Sequence, residues 1–174
     1  MKRRFFPMIA ALFAAVAGGG CFFPRGAQLE VAEYAPELRS VSSVLSTAQV
    51  GSVVNLSGSG KEFVIRKKSG LVVCDESRRW LISPEQMLKN SMLLHCSGTG
   101  RTRVSAEVLK FEFSGNLSEL SALVRFCGRS GSGGEVSRCV AAAVKVENGD
   151  YGSCAAKLWE MLLNELFKEN KVLK

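Results

Sequence analysis

The sequence predicts one domain in which strands joined by tight turns form a sheet that is covered by two helices, an α/β or α+β fold. Stretches rich in β-branched and aromatic residues recur between residues 38 and 146 and are separated by turn residues. Helical periodicity is confined to one stretch after residue 83 and another near the C-terminus. Removing an N-terminal signal of 20 residues leaves 174 − 20 = 154 residues, the size of one domain.

The first predicted strands lie before residue 75. Residues 38–45 predict a strand, and a second short apolar run covers residues 50–56. The segments 62–66 and 71–74 flank a turn that contains Gly70, which predicts a β-hairpin.

A helix is predicted to begin after Ser83. Ser83 can cap it, Pro84 suits the first helical position, and Gln86 would complete a capping box. The helix is expected to run to about Cys96, with Gly98 as a left-handed stop.

The strand from Arg103 to Phe113 contains a change of phase. Its apolar residues alternate on one face up to Val108 and on the other face afterwards, which predicts a bulge near Val108. Further strands are predicted over residues 120–126 and 136–146. The last helix is expected to begin between residues 150 and 154, and its apolar face consists of Ala155, Leu158, Trp159, Leu162 and Leu166.

The N-terminus has the layout of an export signal. Three basic residues, an apolar run from Phe5 to Val16 and small residues precede Cys21. Residues 1–20 are therefore predicted to be a signal peptide, Cys21 an acylated N-terminus, and residues 21–37 a lipidated tether to the domain over 38–174. A plain secretory cut after Ala17 is the alternative. Both place the chain outside the cytoplasm.

Charge and cysteine usage exclude some classes of function. The signal carries three of the 23 basic residues, so the mature chain is near 20 − 16 = +4, and nucleic acid is not implied. Acylation of Cys21 leaves five cysteines without a C-x-x-C pair, and they are expected to be small buried hydrophobes rather than a disulfide framework.

The sequence shows no assembled catalytic, metal or cofactor site. His95 is the one histidine, and its helix is mostly apolar, so we expect a buried structural role. Asp75 and Glu76 adjoin Arg78 and Arg79, which favours surface ion pairs.

One pattern resembles a known family. A strand ends at Arg66, a hairpin follows, Arg79 and Trp80 precede the helix start, and a later strand ends at Phe113. Over roughly residues 38–167 this order resembles the ABC-type transport auxiliary lipoprotein family (PqiC/YmbA-like). The family's Tyr-Tyr turn is replaced here by residues 74–77.

The resemblance implies a three-layer α/β fold with a mixed sheet of five to six strands and two main helices, like an anticodon-binding domain. It also implies a non-enzymatic lipoprotein that docks a periplasmic lipid conduit at a membrane. The partners would be a mammalian-cell-entry-type periplasmic protein, an ABC permease, membrane lipid through the acyl anchor, and further copies in a homo-oligomer. Arg66, Arg79, Trp80 and Phe113 would be structural or partner contacts, and no cofactor is implied.

Two other functions are weighed against this one. The chain could be a structural lipoprotein of an outer-membrane insertion machine, or an exported thiol enzyme, which would need an accessible cysteine of low pKa. Phe22 follows Cys21 in place of the Asp that retains some lipoproteins at the inner membrane, which favours the periplasmic leaflet of the outer membrane. The periplasmic face of the inner membrane is the alternative location.

Overall fold

The computed structural model describes residues 30–37, 44–129 and 134–169. The chain divides into two units, Met1–Glu30 and Val31–Lys174, and all the described helices and strands belong to the second. The strands are β1 (Ala32–Tyr34), β2 (Gln49–Asn55), β3 (Glu62–Arg66), β4 (Val72–Trp80), β5 (Arg103–Ser114), β6 (Glu119–Arg129) and β7 (Glu135–Lys145), and the helices are α1 (Pro84–His95) and α2 (Tyr151–Glu169).

The strands form one mixed sheet in the order β1-β4-β3-β5-β6-β7. Strand β2 pairs in parallel with the first half of β5, and β3 pairs in parallel with the end of β5. The predicted hairpin is the antiparallel β3–β4 pair, and β5, β6 and β7 follow as an antiparallel meander. The predicted mixed α/β class with two main helices is confirmed, and the sheet has seven strands.

The predicted bulge is present in β5. Val108 pairs with Val124, but Lys110 pairs with Leu123, so Leu109 is an extra residue. This insertion returns Phe111 to the face that already carries Val108. One face of β5 is therefore apolar along its whole length.

Both helices pack on that apolar face and contact each other. The described residues thus form a helix layer on a sheet layer, with the core between them. The predicted face of α2 is completely buried. On the other face of the sheet, the side chains of β7 are exposed.

Three expectations differ from the structure. The tether was predicted over residues 21–37, but its residues 32–34 form β1. This strand pairs in parallel with β4 and is therefore part of the sheet. Of the strand predicted over 38–45, residues 38–43 lie outside the described residues; residues 44 and 45 are not in a strand, and Ser46 makes an isolated bridge to Cys96. Residues 1–29, with the predicted signal peptide and Cys21, also lie outside the described residues.

The third difference concerns the ends of α1. Ser83 occupies the N-cap, but its side chain makes no capping hydrogen bond, so the predicted capping box does not form. Cys96 ends the helix in an extended conformation because it joins the bridge to Ser46, and Gly98, with a φ of 71°, turns the chain two residues later.

Candidate functional site

Trp80 and Phe113 meet in the core, where β4 and the end of β5 lie on either side of β3. Both are 1% exposed. Phe63 of β3 lies between them, with ring centroids 4.6 Å from Trp80 and 4.7 Å from Phe113. Tyr151, at the start of α2, packs edge-on against Phe113 at 5.4 Å. These two residues of the sequence pattern therefore hold the sheet against α2.

Arg66 lies on the opposite face of the sheet. Its Nε donates to Glu112 Oε1 at 2.5 Å, and its Nη2 donates to Glu112 Oε2 at 2.9 Å. Lys110 Nζ lies 2.9 Å from the same Oε1. Arg66 therefore pairs with a carboxylate of β5 and not with the neighbouring carboxylates of β4. The β3–β5 register places Arg66 beside Ser114 and directs its side chain toward Glu112.

The two cations keep Glu112 ionised. Burial would raise the pKa of this carboxyl, since only 7% of the side chain is exposed. The hydrogen bonds from Arg66 and Lys110 outweigh burial and lower the pKa below its usual value. Arg66 is 47% exposed and Lys110 is 39% exposed. The cluster therefore presents two cations to solvent around one carboxylate.

Arg79 fixes β1 to the sheet. Its side chain donates two hydrogen bonds to Glu33, one of them from Nε at 2.8 Å. On the same strand, Arg78 pairs with Asp75 at 2.5 Å, which confirms the expected surface ion pair for Asp75. Burial raises the pKa of Asp75. Hydrogen bonds from Ser77 and Arg78 lower it by more, so the net shift of the pKa is downward.

His95 is buried, as expected, and serves the fold. It is 4% exposed, and its Nδ1 lies 2.7 Å from the carbonyl oxygen of Ser91. Its own carbonyl accepts hydrogen bonds from the amides of Leu45 and Ser46. The histidine thus joins α1 to the segment before β2.

The five described cysteines are free thiols with different exposures. Cys96 and Cys154 are buried as expected, and burial raises the pKa of each thiol to about 11. Cys74 and Cys139 are exposed and Cys127 is half-buried, so the expectation of burial was wrong for them. They lie in strands whose faces alternate between core and solvent, and an apolar sequence neighbourhood does not distinguish the two.

The sequence reasoning missed Glu112 as the partner of Arg66. The signal was present in the alternation of β5, because a residue between Phe111 and Phe113 must point away from the core. Among the described residues, no three His, Cys, Asp or Glu side chains are grouped so that they could hold a metal ion. No helix in the described ranges is long and apolar enough to span a membrane.

The chain is similar in fold to solved structures. An uncharacterized protein matches with a TM-score of 0.58 and 14% identity over 80% of this chain and 99% of the other. Protein XCC0632 from Xanthomonas campestris, described under the family DUF330, matches with a TM-score of 0.53 and 15% identity over 79% of this chain and 91% of the other. No family model and no curated protein matches the chain. At such identities the likeness shows a shared fold alone.

Proposed function

We propose that the chain is a non-enzymatic envelope lipoprotein, an accessory component of an ABC/mammalian-cell-entry-type lipid transport system. One observation carries the proposal. The elements that give the resemblance, a hairpin strand ending at Arg66, Trp80 before a helix and a strand ending at Phe113, come together around the β3–β5 junction. The pattern is therefore a connected part of the fold rather than a scatter of common residues.

The mechanism is attachment. Acyl chains on Cys21 would hold the protein at the periplasmic leaflet of the outer membrane, because two acyl chains exceed the threshold for stable anchoring. The folded domain would then present a surface to the periplasmic lipid conduit and dock it at that membrane. The pattern residues support the domain, since Trp80 and Phe113 are buried and Arg66 is paired with Glu112.

Neither of the two buried thiols has the chemistry of a nucleophile. A nucleophilic cysteine needs a thiolate at working pH. Cys96 and Cys154, with pKa values of about 11, stay protonated at neutral pH. The buried His95 has its Nδ1 engaged with a backbone carbonyl of its own helix.

The proposal is tested by complementing a deletion strain. Wild-type protein should restore resistance to detergent, and Cys21→Ala protein should not, although the domain still folds. Cys74→Ala is the matched control, because Cys74 is an exposed cysteine of the folded domain, and it should restore resistance.

Two outcomes would contradict this account. Full rescue by Cys21→Ala would remove the anchor from the mechanism. A deletion strain with a normal lipid barrier, combined with defective insertion of outer-membrane proteins, would favour the structural lipoprotein of an insertion machine.

A further inference from the structure

Strand β7 is an edge of the sheet within the described residues. It pairs with β6 along its 11 residues, and no described strand pairs with its other side. Native edges are usually kept short, bulged or covered, because a free edge offers unpaired amides and carbonyls to another strand. The β6–β7 register shows no bulge. Such an edge can accept one more strand.

The sequence of β7 is complementary to itself when a second copy runs antiparallel. We propose that a second copy of this chain pairs along β7, with Val140 of one copy opposite Val140 of the other. In this register, Glu135 of each copy faces Lys145 of the other. Val136 faces Val144, and the small Ala142 faces the long side chain of Arg138. Opposite charges meet at both ends, and large residues face small or β-branched ones.

The charges continue an alternation that already exists inside each copy. Arg129 of β6 lies opposite Glu135, and Glu119 lies opposite Lys145. Across the joined sheet, one row would therefore read Arg129 and Glu135 from one copy, then Lys145 and Glu119 from the other. Each charge has a neighbour of opposite sign, so pairing of the two copies adds attraction without disturbing either β6–β7 ladder.

Neighbouring registers are less favourable. In the proposed register, the numbers of any two paired residues add up to 280. A shift to a sum of 282 places Glu135 opposite Glu147. A shift to a sum of 278 places Glu135 opposite Ala143, so both terminal charge pairs are lost, and a shift to a sum of 276 places Arg138 opposite Arg138. A register with an odd sum would place side chains from the helix-covered face of one copy beside side chains from the exposed face of the other. The central register is therefore specified by charge and by the alternation of faces.

A groove beside the edge marks the centre of the proposed contact. Residues 138–142 of β7 and residues Met161 and Glu165 of α2 line it. Met161 is 42% exposed although it is large and apolar. In the two-fold arrangement, Met161 from each copy lies near the axis through Val140, where it would lose contact with water. The contact is isologous and closes as a dimer, whereas a ring would need a second, different surface.

Cross-linking of the full chain in detergent tests the register. Ala141→Cys places a thiol opposite the native Cys139 of the second copy, and both positions are exposed. Within one copy, position 141 lies two residues along the strand from Cys139, and this separation is too large for a disulfide. Mild oxidation should convert this variant to a covalent dimer that reductant reverses. Ala143→Cys is the matched control, because position 143 faces Ser137, and it should give only the wild-type background.

Charge exchange is the second test. Glu135→Lys alone should weaken the dimer about tenfold, since like charges then meet at both ends. Glu135→Lys combined with Lys145→Glu should restore it, because the pairs between the copies are re-formed with reversed sign. The like charges that this change places opposite Arg129 and Glu119 lie within each copy, so they are present in monomer and dimer alike. Sedimentation velocity measures the dimer, and thermal melting checks that each variant is folded. Equal cross-linking at positions 141 and 143, a monomer at all concentrations, or a dimer unaffected by Glu135→Lys would overturn the proposal.

Discussion

At the scale of single residues, the pattern side chains are held by contacts that differ on the two faces of the sheet. Trp80 and Phe113 lose their contact with water in an aromatic cluster, and burial of such rings dominates core energetics. Arg66 instead keeps half of its surface in water and is held by Glu112. A ring in the core and an ion pair at the surface respond to different perturbations, so each can be tested separately.

Replacing Trp80 with alanine should destabilise the domain by about 3–5 kcal/mol, because the ring is almost completely buried and a cavity would remain. Urea unfolding measures the change. Leu81→Ala is the matched control, since Leu81 is adjacent and 49% exposed, and it should change the free energy of unfolding by less than about 1 kcal/mol. Equal effects of the two changes would show that the aromatic cluster is not a main part of the core.

Replacing Glu112 with glutamine should destabilise the domain by about 1–3 kcal/mol at neutral pH, because charged hydrogen bonds from Arg66 and Lys110 are lost. The folded pKa of Glu112 lies below its unfolded value near 4.3, so this stability is fully present above about pH 5. It disappears as pH falls through the folded pKa. Denaturation of both proteins between pH 7 and 2 should therefore give curves that converge on acidification. A difference that is constant with pH would contradict the ion-pair interpretation.

At the scale of elements, the bulge in β5 decides which residues form the core. Sequence alternation was enough to predict it, because Val108 and Phe111 can share a face only if one residue is inserted. Strand β1 was not predictable in the same way. Its three residues are half-buried or exposed, and their pairing depends on the edge that β4 offers from 46 residues away.

Inserting one alanine after Leu109 should unfold the domain. Phe111 and Phe113 would then turn to the face of the sheet away from the helices, at a cost of about 3–6 kcal/mol for two exposed rings. That is much of the stability of an ordinary domain. Deleting Leu109 is the matched control: it removes the bulge but joins Val108 directly to Lys110, so both rings stay on the core face and a cooperative thermal transition should remain. An insertion variant that melts like the deletion variant would contradict this account of the bulge.

The helix ends show why local sequence rules were only partly sufficient. The residues of a capping box are present at α1, yet the Ser83 side chain makes no capping bond. At the other end, the bridge between Ser46 and Cys96 sets the conformation of the cap. Tertiary pairing therefore decided both the end of α1 and the partner of Arg66, whereas periodicity alone was enough for the buried face of α2.

At the scale of the whole molecule, the proposed function requires a membrane anchor joined to a folded domain that would bind a partner. The anchor predicts the mature N-terminus. Mass spectrometry of protein purified from envelopes should show a peptide that begins at Cys21 and carries acyl chains. An unmodified N-terminus at Gly18 would instead support the secretory cut after Ala17.

Capture of the partner tests the central claim most directly. The tagged full chain is extracted from envelopes in mild detergent, with Cys21→Ala protein in parallel, and the proteins that co-purify are identified and quantified against a tag-only control. The account predicts that the mammalian-cell-entry-type periplasmic protein is enriched with both forms, because the folded domain makes the contact and the anchor sets only location. Enrichment of an outer-membrane insertion machine in its place, or of no transporter subunit, would contradict it.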